Sequence, residues 1–268
     1  MSVKNFQNFI HWWYQQHGRH DLPWRKDFDP YKVLVSELML QQTQVERVIP
    51  KFKAFIKQFP DVKTLAAAPL SQVLIAWQGL GYNRRAKYLH LTAKAVLEKG
   101  SQFPSSYDEL LQLPGIGPYT ASATMAFAYN QPITLIETNV RAVFLYHFFP
   151  GKRQVADSKL LPLIEKTLDK EQPRIWYSAL MDYGATLKRL LPNPSRQSQH
   201  HTKQSKFEGS LRQTRGEILR VLSNHSILSQ KQLFAKLQTK MDNHLPALEQ
   251  LLNEELVFMD SGNLKLAN

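Results

Sequence analysis

The sequence predicts an all-α protein that ends in a small winged-helix-like domain. Three observations lead there. Up to about residue 187, apolar residues recur at three- and four-residue spacing, the signature of helices with one buried face. Short Gly- or Pro-bearing breaks separate these stretches. The last fifty residues then show three short helical patterns followed by a hairpin pattern.

Helices are expected over residues 3–17, 30–42, 44–59, 70–78, 83–98, 106–112, 119–129, 139–148, 158–169 and 173–187. Asp29-Pro30 is a start signal, a capping acceptor followed by a residue whose φ suits the first turn. Residues 188–216 change character. They carry Lys188, Arg189, Arg196, Lys203, Lys206, Arg212 and Arg215 against the single acid Glu208, with few apolar residues. That composition reads as an extended basic linker, either a solvated connector or a strap along phosphate. Residues 217–268 resume with helices over 213–223, 229–238 and 243–254. A hairpin follows, of Leu256-Val257-Phe258-Met259, the turn Ser261-Gly262-Asn263 and Leu264-Lys265-Leu266. The domains expected are 1–187, the linker 188–216 and 217–268.

The 268 residues are 43% hydrophobic, enough for a real core, and the formal net charge is +12. Such a charge favours a polyanion, because each neutralised phosphate releases condensed counterions. There is no cysteine, which excludes disulfides, thiolate zinc sites and cysteine-ligated clusters. Residues 1–5 carry no basic region leading into an apolar one. Apolar runs such as Val143-Phe144-Leu145-Tyr146 are too short to cross a bilayer. A monomer in the cytoplasm, associated with the nucleoid in a bacterium, is expected.

The sharpest local signal is Leu113-Pro114-Gly115-Ile116-Gly117-Pro118-Tyr119-Thr120-Ala121, set between two helical patterns. Two glycines one residue apart permit positive φ and bring bare backbone close to a partner. The amides opening the next helix suit a phosphate, so Gly115, Gly117 and Thr120 are candidate contacts. An ordinary tight helix–helix turn would use the glycines too.

In Ser36-Glu37-Leu38-Met39-Leu40-Gln41-Gln42-Thr43-Gln44, Glu37 interrupts an apolar run and shares a helical face with Val33, Leu34 and Gln41. A carboxyl desolvated in such a place becomes a proton donor near neutral pH; on a solvated face it would merely pair with a base. In Leu135-Ile136-Glu137-Thr138-Asn139, Glu137 precedes a helix start, where amides and the dipole favour the anion. One neutral and one charged carboxyl form a pair able to break a glycosidic bond through an oxocarbenium-like transition state. Gly79-Leu80-Gly81-Tyr82 presents an aromatic at a turn, with Arg84, Arg85 and Lys87 following. Tyr82 is placed either in the core or at the tip, stacking into a base step.

These strings, with Asp21-Leu22-Pro23-Trp24-Arg25, stand in the order and spacing of one family. Residues 1 to about 187 resemble the catalytic domain of the MutY-type A/G-mismatch adenine DNA glycosylases, in the helix-hairpin-helix superfamily that includes endonuclease III. The resemblance implies the two-lobed helix-hairpin-helix fold. It also implies base excision from double-stranded DNA carrying a mispaired or damaged base, without a cofactor or metal. It places Glu37 as the acid that protonates adenine, and Gln41 and Tyr82 as wedges beside the flipped nucleotide. Gln42 and Arg84 join the DNA contacts. Asn139 supports the catalytic carboxylate, and Trp24 and Arg25 lie near the base pocket.

Three departures stand out. Glu137 occupies the position of the family's catalytic aspartate. Tyr119 occupies the hairpin position that is lysine in glycosylase/lyases, implying a monofunctional enzyme that leaves an abasic site. The four cluster-cysteine positions hold Lys188, Ser195, Ser198 and Gln204, none able to ligate iron, so the lysines and arginines of 188–216, Lys203 and Lys206 among them, are expected to meet phosphate instead. Residues 217–268 are too few for the family's 8-oxoguanine-reading domain. That keeps other bases open: thymine or uracil opposite guanine, hypoxanthine or an alkylated purine. A non-catalytic damage-binding protein is the further alternative.

Overall fold

Helix starts in the chain follow from side chains able to accept from the first free amides. In the computed structural model, which describes residues 2–268, Ser2, Asp61, Ser106, Ser210 and Ser229 each cap a helix with a side-chain oxygen. The helices are α1 (Val3–His17), α2 (Pro30–Leu40), α3 (Val45–Gln58), α4 (Val62–Ala67), α5 (Leu70–Ala76), α6 (Arg84–Glu98), α7 (Tyr107–Leu111), α8 (Pro118–Phe127), α9 (Thr138–Phe148), α10 (Asp157–Thr167), α11 (Pro173–Leu190), α12 (Leu211–Asn224), α13 (Gln230–Ala235) and α14 (His244–Asn253). The mostly helical class is as expected. The periodicity reading missed α4, which is short.

The chain divides into two compact units. One comprises 1–34, 104–112 and 116–203; the other comprises 35–103, 113–115 and 204–268. The first is built on a core in which Phe6 meets Phe144, Phe148 and Trp176 edge to face at 5.1–5.8 Å. Around it lie Ile10, Val140, Leu145, Ile164, Tyr177 and Leu180, all buried.

In the second unit, α12, β1 (Leu228–Ser229), α13, α14, β2 (Val257–Asp260) and β3 (Asn263–Leu266) follow one another. The strands form an antiparallel sheet in the order β1-β3-β2. This is the expected three helices and hairpin, with β1 as an added third strand. The segment is anchored to residues 35–103: the Gln78 carboxamide donates to Ser223 (2.7 Å), and Lys87 donates to the Glu254 carbonyl (2.8 Å) and pairs with Glu255 (2.6 Å).

The stretch 188–216 is less extended than its composition suggests. Helix α11 continues through its first residues to Leu190, and a 3-10 turn covers Pro194–Gln197. The Asn193 side chain accepts from the Ser195 amide (3.0 Å) and hydroxyl (2.6 Å). Ser198 pairs with Val155 in a parallel bridge, secured by amide–carbonyl bonds from Val155 to Gln197 (2.9 Å) and from Gln199 to Val155 (3.0 Å). Local hydrogen bonding of this kind was invisible in a count of charges. Among the described residues no helix is long and apolar enough to cross a membrane.

Candidate active site

Glu137 is the N-cap of α9. Its extended backbone turns the carboxylate back over the helix start, where it accepts from the amides of Asn139 (2.6 Å) and Val140 (2.8 Å). The Asn139 carboxamide donates to its other oxygen at 3.1 Å. Both oxygens therefore face donors, an arrangement suited to the ionised form. Asn139 thus donates to the Glu137 carboxylate from both its backbone and its side chain.

The electrostatics are less one-sided than a helix cap alone suggests. Burial pushes the Glu137 carboxyl above its ordinary value, opposed by the Val140 and Asn139 amides and by Lys188 and Arg141. The expectation that the helix start would hold this group low gives way to the larger effect of desolvation. Lys188, on α11, is itself pushed down by burial and raised by Glu137. Its ammonium donates to the Thr138 hydroxyl at 3.4 Å. Sequence reasoning did not foresee this electrostatic influence of Lys188 on Glu137, since 51 positions separate them.

In the same unit, Trp24 is buried in a 3-10 turn over Pro23–Arg25. Arg25 donates to Asp182 through both terminal nitrogens (2.7 and 3.0 Å) and to the Arg19 carbonyl (3.1 Å). Asp182 also accepts from the Arg19 backbone and guanidinium. Desolvation would raise the Asp182 carboxyl, but Arg25 and Arg19 hold it below its ordinary value. The guanidinium expected near a base pocket is thus spent on bracing this turn. Asp182 was not singled out from the sequence. Tyr119 packs against the core of this unit, and Thr120 is buried.

The hairpin joins α7 to α8. Gly115 has φ +75°, and a Cβ there would sit 2.4 Å from the Cβ of Tyr88 on α6, so only glycine fits. Thr92 donates to the Pro114 carbonyl at 2.7 Å. Gly117 differs from expectation: its φ is −94° and it caps α8. Space is open where its Cβ would be; its value lies in bare backbone, not in positive φ.

In the second unit Glu37 is buried on α2, with 6% of its surface exposed. Helix α2 ends at Leu40, two residues early, because Gln42 turns left-handed (φ 55°). A second left-handed turn follows α5, with Gly79 at 89°, Gly81 at 69° and Tyr82 at 48°. For a tyrosine that conformation costs about 1 kcal/mol or more and needs support from its surroundings.

The support is Arg85. Only 9% exposed, it donates from Nη1 to the carbonyls of Gln41 (2.6 Å) and Met39 (3.2 Å), and from Nη2 to those of Gly81 (2.9 Å) and Leu80 (3.1 Å). One planar fork thereby ties the Gln41–Gln42 turn to the Gly81–Tyr82 turn, the two expected wedges. Arg84, its neighbour, faces outward and donates to Tyr88. Lys203 and Lys206 are exposed.

The four positions aligned with cluster cysteines offer an ammonium, two hydroxyls and a carboxamide. Ser195 and Ser198 are buried and hydrogen-bonded within their own turn. This donor set does not fit an iron–sulfur cluster.

Residues 35–166 match the family model described as HhH-GPD superfamily base excision DNA repair protein. The chain is 38% identical over 193 residues to the adenine DNA glycosylase of Buchnera aphidicola subsp. Baizongia pistaciae, covering 70% of this chain and 54% of that relative. It is 42% identical over 178 residues to the adenine DNA glycosylase of Mycolicibacterium smegmatis, covering 65% and 60%. The chain therefore spans little more than half the length of these relatives. Among solved structures it resembles a thermostable thymine-DNA glycosylase, with a TM-score of 0.60, 25% identity, and coverage of 68% of this chain and 86% of that one. The hairpin, the buried glutamate on α2 and the capped carboxylate on α9 all fall within residues 35–166, the stretch that matches the HhH-GPD superfamily model.

Proposed function

We propose that the protein is a monofunctional DNA glycosylase of base excision repair that flips a mispaired adenine from duplex DNA and hydrolyses its N-glycosidic bond. The observation that carries this reading is the seat of Glu137, whose two carboxylate oxygens are fixed by three N–H donors at a helix start. A carboxylate so held is preorganised against positive charge growing on deoxyribose. Glu37 supplies a proton to the departing adenine as the bond between C1′ and the base nitrogen breaks, the bonding pair leaving with the base. Water then adds at C1′ and gives up its proton, leaving an abasic site. No cofactor or metal takes part.

Gln41 and Tyr82 enter the duplex beside the extruded nucleotide, with Gln42 and Arg84 alongside. The backbone at Gly115 and Gly117, the start of α8 at Thr120, and the exposed Lys203 and Lys206 meet phosphate. Tyr119 offers no amine for a Schiff base, which supports hydrolysis without strand cleavage. Trp24 and Arg25 shape the base pocket from behind, Arg25 through its hold on Asp182.

The relatives named adenine DNA glycosylase support adenine as the target. The likeness to a thymine-DNA glycosylase favours a second reading, removal of thymine opposite guanine. Duplexes each bearing one defined lesion, incubated with the protein and then cleaved with alkali, separate the two. Excision of adenine from a mispair with guanine is expected, and excision confined to other bases would overturn the adenine reading. Glu37→Gln should abolish excision while retaining duplex binding.

A further inference from the structure

The Tyr82 side chain is held at its far end as well as at its backbone. Its hydroxyl accepts from Nη1 of Arg212 and from the carboxamide of Gln204, each at 2.5 Å. The Arg212 guanidinium also lies 5.3 Å from the Tyr82 ring centroid, and Arg85 lies 5.4 Å from it. Two cations thus flank one aromatic ring, a favourable use of its quadrupole.

Neither partner belongs to the turn that bears Tyr82. Gln204 comes from the segment that leads into α12, and Arg212 from the first turn of α12 itself. Gln204 also reaches Gln42 at 3.4 Å, linking both wedge turns through one amide. Arg212 is fixed by the Ser205 carbonyl (3.1 Å) and by the Phe207 ring (5.5 Å). No ion pair engages Arg212 among the described residues, and its Nε is buried without a hydrogen-bond partner. Its guanidinium is therefore committed to aromatic rings rather than to a carboxylate.

A tyrosine in the left-handed region has an uphill backbone and, without a partner at its hydroxyl, a ring free to swing. Fixing the hydroxyl removes that freedom before DNA arrives, so less ordering remains for the step in which the ring wedges in and the nucleotide is positioned for cleavage. We propose that Arg212, assisted by Gln204, is a positioning residue that aims Tyr82 at the duplex. The inference rests on the glycosylase reading above and extends it: the segment after α11 becomes part of the wedge rather than only a phosphate strap. One arginine of the basic stretch is thereby removed from the DNA-facing set.

The test is a double-mutant cycle on the full chain with Arg212→Ala, Arg212→Lys and Tyr82→Phe, read by single-turnover excision and by duplex affinity at fixed salt. Arg212→Ala should slow excision about tenfold, the scale of a modest misplacement, with duplex affinity little changed. Arg212→Lys should recover part of the rate, because an ammonium can still donate to the hydroxyl. In the Tyr82→Phe background Arg212→Ala should have almost no further effect. Equal slowing in both backgrounds would overturn the proposal. So would a loss confined to affinity with a flatter salt dependence, the mark of a phosphate contact.

A readout independent of excision separates this inference from the functional reading. With 3-fluorotyrosine at position 82, the fluorine resonance without DNA should shift or broaden in Arg212→Ala. An unmoved line overturns the clamp whatever the activity. A protein that excises nothing while the line moves overturns the enzymatic reading and the aiming role with it.

Discussion

Gly184 on α11 lies so close to Asn139 that a Cβ added there would sit 2.3 Å from the Asn139 carbonyl oxygen. Asn139 in turn donates to Glu137 through both its backbone and its side chain. The absence of one methyl group therefore sets where the capped carboxylate stands. Gly184→Ala should push the start of α9 away from α11. A displacement on the order of 1 Å would slow excision by about a hundredfold, with a loss of stability of about 1–3 kcal/mol from overpacking. Single-turnover kinetics and thermal melting check both; an unchanged rate would count against this coupling of packing to chemistry.

Lys188 opposes the upward push of burial on Glu137. Removing that cation leaves the carboxylate less favoured, so its pKa rises further and it is protonated at higher pH. In Lys188→Met the acid limb of the excision rate should move to higher pH, while Lys188→Arg should leave it nearly in place. A pH–rate profile under single-turnover conditions decides, and a limb that stays put or moves down would contradict the sign.

Arg85 satisfies carbonyls from two turns at once. Arg85→Ala strands those acceptors and removes the support for left-handed Tyr82, at a cost on the order of 3 kcal/mol. Arg85→Lys keeps the charge but cannot span both turns, so its loss should be intermediate. Denaturant unfolding ranks the three proteins; a lysine variant as stable as the parent would show that charge alone suffices.

Burial pushes His147 down to about 4, against about 6.5 in an unfolded chain. Between these values the unfolded state holds the extra proton, so stability rises with pH and is lost as pH falls through the window. The ring sits against Phe6 and Phe9, and its Nε2 meets the Tyr183 hydroxyl at 3.1 Å. His147→Gln should flatten the fall in melting temperature between about pH 6.5 and 4. Equal slopes for both proteins would remove His147 from the account.

Local chemistry was legible in the sequence; cross-chain chemistry was not. The helix starting at Pro30 and the break at Gly115 announce themselves through residues with few other uses. Glu137 reads from the sequence only as a carboxylate at a helix start; that it is itself the cap, accepting from amides two and three residues on, is a finding of the structure. Arg85 reads as one more solvated cation behind a turn, and only packing turns it inward onto carbonyls some 44 residues away. Asp182, Gly184 and Lys188 lie on a single helix whose neighbours come from the beginning and middle of the chain. The two-residue strand β1 carries too little pattern to be seen. Glu137 and Tyr82 were therefore nameable in advance, while the residues that hold them were not.

The Asn193–Ser198 turn is stitched by serine hydroxyls, a carboxamide and a backbone bridge to Val155. Such a joint matures as the polypeptide folds, drawing on no iron supply and no sulfur-mobilising machinery. Peroxide or superoxide finds nothing oxidisable in it, and a chelator has nothing to strip from it. Starvation for iron would leave this corner of the molecule untouched.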